Sequence, residues 1–190
     1  MTDLILRNGI ILTPYNELFN KVLFLKNKKI YKIIDETEYQ NLGKDYLNQF
    51  NIIDVRGNYI SPGFIDIHTH GANNVDAVKD SIEPWADFIL KYGVTGFLPT
   101  IWTAEFKQMV DACSRISSIV NNQKSGAKIL GINLEGPYLN PQFGAQKPEL
   151  VKIPDFKDYS KLIDACNGQL KIMTVAPELE NAYELIKYLR

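Results

Sequence analysis

The two histidines of the sequence stand two residues apart, His68 and His70, in the run Ser61-Pro62-Gly63-Phe64-Ile65-Asp66-Ile67-His68-Thr69-His70-Gly71. Neutral imidazoles are good ligands for divalent metals. On a β-strand, two of them at spacing two share one side of the pleat, so both can reach one cation. Asp66 falls on the same side, and Ile65, Ile67 and Thr69 fall on the other. The alternative is a pair of ordinary polar residues at a strand end. That these are all the histidines of the chain, placed together, favours the metal.

A second candidate is Glu135, in Gly131-Ile132-Asn133-Leu134-Glu135-Gly136-Pro137. Alternation puts Glu135 on one face with Asn133 and Gly131, and turns Leu130, Ile132 and Leu134 toward helices. If this strand lies in the same sheet as the histidine strand, its carboxylate opens onto the same end. Two histidines and one carboxylate are a common divalent-metal ligand set, and a site without a fourth protein ligand keeps water there. The competing role for Glu135 is to cap the following loop. Gly136-Pro137 cannot continue a strand and so holds the carboxylate at a rim, which favours the ligand.

The elements that must position these groups follow a regular grammar after Pro62: strand, loop, helix, repeated, as parallel strands with helical crossovers require. Ser81 precedes a stripe of Trp85, Phe88, Ile89 and Tyr92 that Gly93 ends, and strand Val94 to Leu98 follows. Thr103 is placed to cap a helix with stripe Phe106, Met109, Val110, Cys113, Ile116 and Val120. Strand Lys128 to Glu135, a loop to Phe156 and a helix with Tyr159, Leu162, Ile163 and Cys166 make the third unit. Strand Lys171 to Ala176 and a helix with Ala182, Leu185, Ile186 and Leu189 make the fourth. Phe64 and Phe97 read as side chains of the enclosed inner face. The expected fold is α/β, a partial (β/α)8 TIM-type barrel of about four βα units over residues 61–190, preceded by a small β-sandwich or meander over residues 1–60. In that first part, Arg7-Asn8-Gly9 and Lys26-Asn27-Lys28 sit where hairpin turns belong, and Asp35 to Gln49 reads as a short helix or a crossing loop.

With 190 residues, 45% of them hydrophobic, the chain can bury a core. Lys+Arg 21 against Asp+Glu 22 gives a net charge of -1, which leaves no electrostatic footprint for nucleic acid or an anionic membrane surface. Small molecules or other proteins are the implied partners. Cys113 and Cys166 lie far apart in sequence at apolar helix positions and read as core residues. No basic-then-apolar start and no apolar run near 20 residues is present, so a cytoplasmic protein is expected.

These runs resemble a known family. Pro62 to Gly71 is similar to the first-strand signature of the amidohydrolase superfamily. Leu134-Glu135-Gly136-Pro137-Tyr138-Leu139-Asn140-Pro141, followed by Gly144-Ala145-Gln146, resembles the N-acetylglucosamine-6-phosphate deacetylases within it. The His-x-His pair fixes only the superfamily, whereas the Leu-Glu-Gly-Pro-Tyr-Leu-Asn run is far more specific. Gly93 to Thr100 and Ala176-Pro177-Glu178 also sit where that family has them, so the resemblance covers essentially the whole chain. It implies hydrolysis of the acetamide of an amino-sugar phosphate, N-acetylglucosamine 6-phosphate, to acetate and the free amine. One or two divalent ions, zinc, iron or similar, would polarise the carbonyl and lower the pKa of bound water from about 15.7 toward ~7. His68, His70 and Glu135 resemble the metal ligands, and Ala145 and Gln146 lie at the substrate-contacting loop. A homodimer is implied for the full-length parent. Asn73, Asn74 and Asp76 either line the mouth or cap their loop.

The same family uses two histidines and a catalytic aspartate on later strands, together with phosphate-binding residues, and this sequence has no third histidine. A complete barrel runs about 250 residues. The expectation is therefore the first half of a longer barrel, inactive alone, with no catalytic residue of its own and a general base beyond Arg190. Two other readings stay open: an amidohydrolase acting on a different N-acyl or cyclic amide, and a non-catalytic half-barrel that serves binding or assembly.

Overall fold

Alternating apolar residues make strands of the first sixty positions, in the order β1 (Leu4–Leu12), β2 (Glu17–Lys26), β3 (Lys29–Asp35), β4 (Asn51–Asp54) and β5 (Tyr59–Ile60). The computed structural model describes residues 3–190 and separates into Met1–Pro62 and Gly63–Arg190. In the first unit β1, β2 and β3 form an antiparallel meander, and β4 and β5 add to β1 in parallel. Asn27 and Lys28, at φ 51 and 63, make the two-residue turn between β2 and β3. The turn expected at Arg7-Asn8-Gly9 does not form. β1 runs through it, and Asn8 (φ 58) instead marks an irregularity in the β1–β2 register between Leu6 and Gly9. A tolerance for positive φ serves a bulge as well as it serves a turn.

The stretch after β3 forms two short helices, α1 (Glu36–Gln40) and α2 (Lys44–Leu47). Ile5, Val22, Phe24, Tyr39 and Phe50 pack together there, with Phe24 and Phe50 edge to face at 5.4 Å. Ile11, Leu23 and Ile60 form a second cluster with Leu6, Leu18 and Leu25. Among the described residues this unit is one five-stranded sheet, so of the two expected arrangements it is the meander and not a pair of facing sheets.

The second unit begins with β6 (Phe64–Thr69) and a small hairpin of β7 (Gly71–Ala72) and β8 (Val75–Asp76), followed by α3 (Glu83–Ile89). Then come β9 (Val94–Ile101), α4 (Phe106–Asn122), β10 (Lys128–Ile129), β11 (Ile132–Glu135), α5 (Phe156–Ala165), β12 (Leu170–Thr174) and α6 (Ala182–Tyr188). β6, β10 and β11 all pair in parallel with β9, and β12 pairs in parallel with β11. β10 and β11 are one strand interrupted at Gly131, whose φ of 143 breaks the ladder and whose Cβ would stand 2.5 Å from the carbonyl oxygen of Gln169. The order is thus β6, β9, β10/β11, β12, each followed by a helix: four βα units, with sequence neighbours adjacent in space.

The core of this unit lies between the sheet and its helices. Trp85 of α3 stacks on Phe97 at 4.8 Å, and Ile101, Met109, Ile116, Ile132, Leu134 and Leu162 complete the fill. Phe97 therefore faces helices and not the inner face expected for it. Cys113 and Cys166 are buried free thiols of this core, and the neighbouring Cys166 together with burial pushes the Cys113 thiol up. Thr103, the expected cap, does not act as one. The hydroxyl of Ser81 donates to Glu83, and α4 begins after Glu105 while Thr103 binds elsewhere. Among the described residues β6 has β9 as its one strand neighbour, and Ile65 and Ile67, on the face opposite Asp66, are 64% and 55% exposed.

One contact fixes the curvature of the sheet. Asn133 Nδ2 on β11 donates to the carbonyl oxygen of Ile67 on β6 at 2.9 Å, reaching past β9. Strands two places apart in a flat sheet are roughly 9.6 Å apart. An asparagine bridges that gap only where the sheet curls toward its side chain, so Asn133, and with it Glu135, lies on the concave face.

Candidate metal centre

His68 lies one residue before the end of β6, His70 directly follows the strand and Glu135 ends β11, so all three stand at the carboxyl ends of parallel strands, where side chains from different strands converge. Their nearest ligand atoms lie within 4.8 Å of one another. His70 Nε2 is 3.1 Å and His68 Nε2 3.6 Å from the same carboxylate oxygen, Oε2 of Glu135, and the two rings stand edge to face at 5.1 Å. Glu135 is the most enclosed of the three and the imidazoles are half open.

The hydrogen bonds around them settle what the atoms offer. His70 Nδ1 lies 3.1 Å from the carbonyl oxygen of Thr100, which can only accept, so Nδ1 carries a proton and, in the neutral ring, Nε2 presents its lone pair. That lone pair then faces a carboxylate oxygen at 3.1 Å, two acceptors with nothing between them unless a proton or a cation is shared. A tetrahedral metal with ligands at ~2.0–2.1 Å separates neighbouring ligand atoms by roughly 3.4 Å. The two histidine–carboxylate distances of 3.1 and 3.6 Å bracket that value and all three ligand atoms lie within 4.8 Å, so the donor set suits a divalent ion in chemistry and lies close to the spacing it needs.

Neighbouring residues hold the frame. Thr100 Oγ1 accepts from the Thr69 amide at 3.0 Å, and the His68 amide donates to Oδ1 of Asp66 at 3.1 Å, so Asp66 serves the backbone. Thr103 Oγ1 donates to the carbonyl oxygen of Glu135 at 2.8 Å. Gly136 follows at φ 90, and a Cβ there would stand 2.2 Å from that hydroxyl, so only glycine lets the chain turn away directly after the carboxylate.

A cavity of about 210 Å³ opens beside these groups, lined by His70, Trp102, Thr103, Glu135, Leu139, Ala145 and Gln146. Both loop residues singled out by the sequence, Ala145 and Gln146, thus stand at the same cavity as two of the three candidate ligands. Gln146 Nε2 is committed to its own loop, donating to the carbonyl oxygens of Asn140 at 3.0 Å and Phe143 at 2.5 Å. Asn140 in turn donates to Glu178 at 2.8 Å and holds that carboxyl below its usual range, which ties the loop to the segment after β12. Of the residues after the first strand, Asn73 and Asn74 supply the positive φ of the β7–β8 turn, and Asp76 accepts from the amides of Val78 and Lys79. Asn73 and Asn74 thus serve the loop, and Asp76 also accepts from Nε1 of Trp102, a cavity-lining residue, at 3.3 Å. Thr100, Thr103, Trp102 and Leu139 were not anticipated as site residues. The one signal available for them was their place at or just beyond strand ends.

The site is thus a curved parallel sheet with His-x-His at the end of its first strand and a glutamate at the end of its third. The chain is homologous to the N-terminal part of N-acetylglucosamine-6-phosphate deacetylases. It is 29% identical over 195 residues to the N-acetylglucosamine-6-phosphate deacetylase of Bacillus subtilis, covering 99% of this chain and 48% of that protein. It is 34% identical over 135 residues to an N-acetylgalactosamine-6-phosphate deacetylase of Escherichia coli O157:H7, covering 69% and 36%. The fold is shared with the solved N-acetylglucosamine-6-phosphate deacetylase of Pasteurella multocida, at a TM-score of 0.81 and 24% identity over 98% of this chain and 48% of that one. The corresponding enzyme of Mycobacterium smegmatis gives 0.77 and 23% over 100% and 51%. No protein-family model matches the chain. The chain spans about half the length of these relatives or less. Among the described residues no helix is long and apolar enough to cross a membrane.

Proposed function

We propose that this chain supplies the first half of a (β/α)8 barrel whose complete form hydrolyses the acetamide of N-acetylglucosamine 6-phosphate to glucosamine 6-phosphate and acetate. His68, His70 and Glu135 hold a divalent ion, zinc, iron or similar. The observation that carries the reading is the convergence of the three ligand atoms at metal-ligand spacing, with His70 Nδ1 held by the Thr100 carbonyl oxygen. The ion, when bound, supplies Lewis acidity toward an amide carbonyl and an acidified water. The chain's own residues set its place. Thr100 fixes the His70 tautomer, Thr103 fixes the end of β11, and the glutamate charge offsets that of the ion. The cavity bounded by Trp102, Leu139, Ala145 and Gln146 receives the sugar. Among the described residues Gln146 donates only through Nε2, which leaves Oε1 to accept from a hydroxyl. The general base and the phosphate-binding groups belong to the other half, and the complete enzyme is a cytoplasmic homodimer.

A second sugar is favoured by one observation, the 34% identity to the N-acetylgalactosamine-6-phosphate deacetylase, and the two substrates differ only at one hydroxyl. Acetate release by the complete enzyme from each 6-phosphate tests the proposal. We expect faster turnover of the gluco substrate. Preference for the galacto substrate would change the sugar and keep the chemistry, and acetate from neither would overturn the deacetylase reading.

A further inference from the structure

We infer that Asn133 is the positioning residue that sets the separation between the Glu135 strand and the histidine strand, and thereby the metal affinity of the site. The inference rests on the metal reading above. Asn133 is 1% exposed, and its fully buried neighbours on β11, Ile132 and Leu134, are apolar. Its Nδ2 donates to the Ile67 carbonyl oxygen at 2.9 Å, while its Oδ1 is buried without a partner. Burying an amide half-satisfied is unfavourable, and an apolar residue of the same volume would fill the space without that cost. What an apolar residue cannot do is join β11 to β6.

The two ends of this tie are placed to act on the site. Ile67 immediately precedes His68, and Asn133 lies two residues before Glu135 on the same face. β6 and β11 share no ladder, since each pairs with β9. Among the described residues the register between imidazoles and carboxylate thus passes either through β9 or directly through this side chain. Pairing on both sides of β9 leaves the curl of the sheet free to vary, and the 3.1 and 3.6 Å separations from Glu135 Oε2 vary with it. The Asn133 bond fixes that curl. Loosening a group that orients metal ligands without touching the metal characteristically lowers affinity by roughly 10–100-fold.

The test is Zn²⁺ binding to the complete enzyme and to its Asn133→Leu variant, which keeps the volume and removes the donor, with the Co²⁺ absorption spectrum as a report of ligand geometry. Circular dichroism establishes that the variant is folded. The expected result is a folded Asn133→Leu with Zn²⁺ affinity lowered at least about 10-fold and an altered Co²⁺ spectrum, neither of which follows from a role in packing alone. Asn133→Gln, which restores an amide on a longer stem, is expected to recover part of the affinity. It also carries the test if the Leu variant does not fold, as a Co²⁺ spectrum different from the parent's. A folded variant with the parent's affinity and spectrum overturns the inference and leaves the metal reading intact. A complete parent enzyme that takes up no Zn²⁺ overturns both.

Discussion

Glu135→Gln is expected to lower acetate release by the complete deacetylase on the order of 1,000-fold, about 4 kcal/mol of transition-state stabilisation, with no loss of fold. The substitution exchanges one carboxylate oxygen for an amide of nearly equal size. The contact that fixes the end of β11 runs from Thr103 to the main-chain oxygen of Glu135 and survives the change. What is lost is the charge that His68 and His70 face at 3.6 and 3.1 Å. A metal held by two neutral imidazoles alone is bound weakly and polarises a carbonyl from the wrong place. Steady-state assay together with metal analysis separates the two losses. A variant that turns over N-acetylglucosamine 6-phosphate within a few-fold of the parent would remove Glu135 from the site.

The second large effect concerns the 190-residue chain expressed by itself, which is expected to release no acetate and to self-associate. Parallel strands are normally covered on both faces and have no free edges in a closed barrel. Here β6 pairs with β9 alone and β12 with β11 alone. On β6, Ile65 and Ile67 share one face and are 64% and 55% exposed, and Phe64 on the other face is 66% exposed, so both faces of this edge strand carry bare apolar side chains. Phe97 adds nothing to this surface because it is buried against Trp85. Light scattering and an acetate assay on the isolated chain decide it. A monodisperse monomer that turns over substrate would contradict both the half-barrel and the assignment of the base to the other half.

The residues legible from sequence were those whose role follows from spacing two on a strand. His68, His70 and Glu135 could be placed on one end because alternation and strand termini are written in the chain, and the structure brings their ligand atoms within 4.8 Å. Ala145 and Gln146 came through resemblance alone, as nothing in their types or spacing marks a loop that folds back over a strand end. Thr100 and Thr103 escaped notice because they act across 30 to 32 residues of sequence, through a backbone carbonyl and a hydroxyl that carry no pattern. Phe97 was assigned to the wrong side for a related reason. Alternation says that Phe97 and Thr100 lie on opposite faces, and only the helices that arrive later decide which face is covered. Asn8 illustrates the same limit locally, since a residue content at positive φ marks an irregular step in a strand as readily as a turn.

The most direct measurement is anomalous diffraction at the zinc absorption edge from crystals of the protein grown with Zn²⁺. The account predicts a single-site peak, or a pair sharing Glu135, about 2.0–2.2 Å from Nε2 of His68, Nε2 of His70 and a carboxylate oxygen of Glu135, with His70 Nδ1 still on the Thr100 carbonyl oxygen. Strong zinc density elsewhere, or none within reach of these three side chains, would contradict it.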